Sequence, residues 1–119
     1  MFTIRKGDLT MFKTTVNDVE YKFKFMHFDY SKMDLLEDLS IPLRIRNFMS
    51  HKTICVLTYI NSGEDLNTTL TGVTYCSKKD IYTRKDGRKK TMAKALKKSD
   101  IDKETRKQIW DEYFKWCKQ

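Results

Sequence analysis

The stretch VEYKFKFMH, residues 19–27, decides the fold, because apolar or aromatic side chains alternate in it with Glu20, Lys22 and Lys24. Val19, Tyr21, Phe23, Phe25 and His27 fall on one face of an extended chain and the charged residues on the other. A period of two is the mark of a half-buried antiparallel strand. Just upstream, residues 10–16 alternate around Phe12, and Asn17-Asp18 predicts the tight turn that makes the two segments a hairpin. A short strand at residues 2–5 is expected beside it.

Downstream, Ser31 with Asp34, followed by Leu35, Leu36 and Leu39, predicts a capped short helix. Pro42 then restarts an extended segment through Leu43, Ile45 and Phe48. Residues 53–60, TICVLTYI, are rich in β-branched side chains and read as a strand. A turn at residues 61–65 leads to a return strand at 67–76, anchored by Leu70 and Val73.

From there the period changes to that of a helix. Thr83 with Asp86 forms a capping box, so a helix is expected from Arg84 to about Lys98. Its buried face is Met92, Ala95 and Leu96; counting back by fours puts Arg88 and Arg84 on the same side. A second helix follows residues 99–102, with Ile109, Trp110, Tyr113, Phe114 and Cys117 as its apolar stripe. The fold class is therefore α+β: an N-terminal antiparallel β-sheet with two C-terminal α-helices packed on it. Residues 1–119 make one domain, with a sheet region over about 1–76 and a helical region over about 83–118.

Charge is distributed unevenly over that scaffold. Residues 77–98 hold ten Lys or Arg against two Asp, which accounts for the whole net charge of +8. Such a concentrated field selects anionic partners: nucleic acid, a nucleotide, an acidic protein surface or an anionic lipid. Arg88 lies upstream of an apolar stripe, so it must meet an acid on the sheet or stay at the mouth of a cleft, where a bound phosphate would satisfy it. The first turn of the helix adds free backbone N–H groups, Gly87 would let a ligand approach the backbone, and Tyr82 is placed to stack a base. The basic run itself has no aromatic residues interleaved in it beyond Tyr82.

Other chemistries find little material. Three cysteines without a CxxC pair, and no leader-like N-terminus, predict reduced thiols in a cytosol, with Cys55 and Cys76 as core residues of strands. Two histidines, His27 and His51, give a metal site too few ligands. There is no nucleophile elbow, HExxH, P-loop or GxGxxG, and no run of membrane-spanning length. His27 and His51 would form an acid–base pair only if two distant segments met. The expectation is a binding protein without cofactor or metal, not an enzyme.

The string GVTYCSKKDIYTRKDGRKKTMAKAL, residues 72–96, resembles a pattern recurrent in small bacteriophage proteins: a strand ending in Cys, an Asp-x-aromatic, a basic pair, Gly-Arg and a helix closing in Ala-Leu. It is most similar to the first type of Thoeris anti-defence protein, and the terminal helix with Arg106, Trp110 and Tyr113 is similar as well. That resemblance implies a phage immune-evasion sponge in the host bacterial cytoplasm. It would be a homo-oligomer that holds a cyclic ADP-ribose isomer, or a cyclic oligonucleotide, without cleaving it. By position, the resemblance makes Tyr82 the stacking aromatic and puts Met92 where the family has a ligand-binding Asn; Arg84, Arg88 and Arg106 are the phosphate partners, beside Gly87. Charge reversal at Arg88 is then expected to abolish binding with folding intact. Trp116, which looks exposed beside the apolar stripe, favours the oligomer. Two other functions fit the charge: an inhibitor directed at a host defence protein, of the anti-CRISPR type, and a basic nucleic-acid-binding module.

Overall fold

The computed structural model describes residues 9–29, 49–60 and 67–118. The expected strand at residues 2–5, the helix near Ser31, the extended segment after Pro42 and the turn at 61–65 lie outside the described residues. Within them the expected architecture holds: β1 (Leu9–Val16), β2 (Val19–Asp29), β3 (Met49–Ile60), β4 (Asn67–Ser77), α1 (Arg84–Lys98) and α2 (Lys103–Cys117). The strands form one antiparallel sheet in the order β1-β2-β3-β4, and both helices cover one face of it.

Register follows from the alternation. Phe12 pairs with Phe23, Phe25 with Cys55, Cys55 with Gly72 and Leu57 with Leu70, so the apolar sets of all four strands share the helix-covered face. The turn is where the sequence puts it: Asn17 and Asp18 take positive φ values of 52° and 66°, which suit a two-residue hairpin. Onto this face α1 lays Thr91, Met92, Ala95 and Leu96, and α2 lays Thr105, Ile109 and Tyr113, all buried.

Two glycines let α1 come close. A Cβ on Gly72 of β4 would fall 2.9 Å from the Ala95 nitrogen and 3.0 Å from the Thr91 carbonyl carbon, both rigid backbone atoms. A Cβ on Gly87 would overlap the Thr53 hydroxyl and crowd its Cβ and Cγ2 at 3.1 and 3.3 Å. The helix also reaches over the outer edge of the sheet, where Lys94 and Lys98 donate to the carbonyls of Val73 (2.8 Å) and Thr71 (2.7 Å) in β4. Unpaired edge groups invite another strand, and charged lysines occupy them here.

Two expectations about α2 need correction. Trp116 is half-buried, not exposed: its ring lies 5.4 Å from Phe12 and 6.5 Å from Phe25, so the buried face of α2 wraps further around the hairpin than the stripe suggests. Phe114, counted in that stripe, is instead 43% exposed. Trp116 therefore gives no support to an oligomer.

Candidate functional site

Tyr82 lies in the connector between β4 and α1, just ahead of the Thr83 cap, whose hydroxyl accepts from the Asp86 amide (3.1 Å). The phenol reaches under the helix to the sheet. Its hydroxyl is 2.5 Å from His27 Nδ1 and 3.1 Å from the Thr53 hydroxyl, which is itself 3.2 Å from the same imidazole nitrogen. His27 and Thr53 are cross-strand partners on β2 and β3, so strand register assembles the triplet. Burial raises the Tyr82 pKa; the Thr53 hydrogen bond and the nearby Arg84 and Arg88 pull against it.

His51 completes the cluster. Its ring meets that of Tyr82 edge-on, with centroids 4.0 Å apart and planes at 73°. Its Nε2 stands 3.7 Å from the carboxylate of Asp29, its partner across β2 and β3. Nδ1 meets the hydroxyl of Ser50 at 2.8 Å, and Ser50 sits at an irregularity in β3 between Met49 and His51. Bulges of this kind re-aim side chains beside sites. The two histidines that looked unrelated along the chain therefore converge on one phenol.

Beside this cluster opens a cavity of about 370 Å³ between the start of α1 and the ends of β3 and β4. His51, Thr53, Thr74 and Tyr82 form its wall on the sheet side; Asp80, Asp86 and Lys90 bring charge to it. The size falls in the ordinary range for small-molecule sites.

The expected site residues separate into distinct places. Tyr82 and Gly87 line the cavity, and the space a Cβ on Gly87 would enter is held by the Thr53 side chain, so the glycine lets the helix approach the sheet. Arg84 is exposed and close enough to act electrostatically on Tyr82. Arg88 also acts electrostatically on Tyr82, but among the described residues it forms no ion pair with an acid, and it does not line this cavity. Its guanidinium lies 5.6 Å from the Trp116 ring centroid, and a face of indole is a favourable seat for a cation between helices. Tyr113 is within electrostatic reach of Arg88 and Cys117, makes no hydrogen bond of good geometry, and has its pKa pushed up to about 12, chiefly by burial. Met92 is fully buried in the core and Arg106 lies on α2, in a separate groove that shares no lining residue with the cavity.

His27, His51, Thr53 and Asp29 were not singled out as one site from the sequence. One signal was present: His27 ends the apolar face of its strand, which aims it toward whatever covers the sheet. Among the described residues no group of three or more His, Cys, Asp or Glu is placed to hold a metal ion, and no helix is long and apolar enough to cross a membrane. Comparison with known proteins gave no match to a family model, a curated protein or a solved structure.

Proposed function

We propose that this chain binds and sequesters a small anionic nucleotide, unmodified, in the cavity at the start of α1. The observation that carries the reading is Tyr82, a rigid aromatic wall fixed by His27, Thr53 and His51 in a cavity of about 370 Å³. Threonine hydroxyls and the carboxylates of Asp80 and Asp86 suit ribose hydroxyls and a base amino group. Lys90 in the cavity and Arg84 beside Tyr82 suit phosphate oxygens, taking the part first expected of Arg88 and Arg106. With the resemblance of residues 72–96, the ligand class is a cyclic nucleotide immune messenger, and the role is evasion of a bacterial defence system from the host cytoplasm.

The test is a ligand-release assay. Purified protein is incubated with cyclic ADP-ribose isomers and cyclic di- and trinucleotides, washed and heat-denatured, and the supernatant is analysed by mass spectrometry. Near-stoichiometric recovery of one intact nucleotide, lost in Tyr82→Ala, is the expected result. Recovery of nothing refutes the reading and shifts the weight to an inhibitor directed at a host protein. A cleaved product would favour a second reading, hydrolysis, for which the specific observation is two imidazoles on Tyr82: His27 on its hydroxyl, and His51, beside Asp29, against its ring.

A further inference from the structure

On the side of the helices away from the sheet, the fold assembles a surface that no single segment carries. Lys103, Arg106, Lys107 and Trp110 recur at helical spacing along α2 and face Ala93, Leu96 and Lys97 of α1 across an open groove of about 530 Å³. Cations stand on both banks, four in all, against the single carboxylate of Asp111. The floor is apolar. Arg106 has its Nε buried without a hydrogen-bond partner among the described residues.

Trp110 does not end the aromatic surface. Phe114, one turn on, stacks with it at 5.8 Å and 27°, and remains 43% exposed. The Lys89 ammonium of α1 lies 5.9 Å from the Phe114 ring centroid. The basic run of α1 has no aromatics of its own, and α2 supplies them in space.

We infer that this groove is a binding site for single-stranded nucleic acid, separate from the Tyr82 cavity. A single strand offers both things that the surface asks for: a row of phosphates for the four cations, and unpaired base faces for the Trp110–Phe114 stack. A duplex hides its base faces. An acidic peptide would use the cations and leave exposed Phe114 and half-buried Trp110 without a role. Bases on aromatic platforms flanked by Lys and Arg bind with little sequence preference and strong salt dependence.

The experiment uses the full chain and a labelled oligothymidylate of about 12 nucleotides, a length within the usual site sizes. Binding is read by anisotropy and by quenching of tryptophan fluorescence. Four phosphate contacts give a slope of log K against log salt of about −3, so affinity falls about 50-fold between 50 and 200 mM salt. Lys103→Glu/Lys107→Glu should weaken binding at least about 10-fold and flatten that slope, which tracks the number of phosphates neutralised. Phe114→Ala, at an exposed position, should weaken it about 5-fold or more with its thermal unfolding unchanged. Tyr82→Ala should bind the oligonucleotide as well as the parent does, which keeps this test independent of the nucleotide cavity. No binding at 50 mM salt, affinity unaffected by Phe114→Ala, tighter binding of duplex, or equal competition by polyglutamate would each overturn the assignment.

Discussion

Replacing Gly87 by Ala pits two effects of opposite sign against each other. In a helix considered alone, Gly→Ala stabilises by up to about 1 kcal/mol, and less in the first turn. The fold reverses that expectation, because the new methyl would enter the space of the Thr53 side chain, overlapping its hydroxyl and lying 3.1 Å from its Cβ. Thr53 is short and rooted in a central strand, so its Cβ stays in place, and turning the hydroxyl away about χ1 would give up its bonds to His27 and Tyr82. The start of α1 must lift instead. Overpacking of this kind costs about 1–3 kcal/mol. After the helical gain, the net loss is about 1–2 kcal/mol, which in a domain of this size lowers Tm by about 5–10 °C. Urea and thermal unfolding followed by circular dichroism measure it. In a Thr53→Ala background the overlap with the hydroxyl and Cγ2 disappears and only the 3.1 Å approach to Cβ remains, so the double-mutant coupling should be about 1–2 kcal/mol. A Gly87→Ala protein more stable than its parent would refute the close approach of α1 to β3.

Other outcomes follow from the same contacts. Arg88→Glu should lower stability by about 2 kcal/mol and shift Trp116 fluorescence, with Arg88→Lys milder, since it removes a cation from an indole face and leaves a carboxylate there; unchanged unfolding would show that Arg88 is free for another task. Cys55, buried in the sheet, has its thiol pKa pushed from 9.0 up to about 12 by burial. The unfolded chain gives up that proton first, so the contribution is complete below about pH 9 and declines by up to about 1.4 kcal/mol per pH unit as pH rises toward 12. Urea unfolding between pH 9 and 11 should show a shallower decline in Cys55→Ala. Lys94→Glu/Lys98→Glu should change stability by less than about 1 kcal/mol per exposed pair while raising light scattering on concentration, because the β4 carbonyls lose their donors.

Much of the fold was legible because burial on one face writes itself into the sequence. The period of two in β2 names Tyr21, Phe23, Phe25 and His27 as the covered face, and the capping pair Thr83 and Asp86 marks the start of α1. What periodicity does not contain is register between strands and the angle between helices. His27 opposite Thr53 and His51 opposite Asp29 are products of register, so the cluster around Tyr82 was invisible along the chain. Helical counting did place Arg88 on the apolar side, yet its partner, Trp116, comes from the way α2 wraps the hairpin. Gly87 was read as an opening for a ligand, although Gly87, Thr91 and Ala95 recur every four residues on the buried side of α1 and form a small-residue face suited to close packing on a sheet.

The lysines of α1 on β4 also bear on the symmetry open to this protein. A sheet with two free edges can add strands at both ends and grow without limit. Here, among the described residues, Lys94 and Lys98 occupy the Val73 and Thr71 carbonyls, which blocks strand addition at β4. A β1-to-β1 contact between two copies is self-complementary: it makes a closed two-fold pair whose outer edges are both lysine-bound β4 strands. An assembly paired in that way would stop at two copies, so a blocked β4 edge works against a fibre.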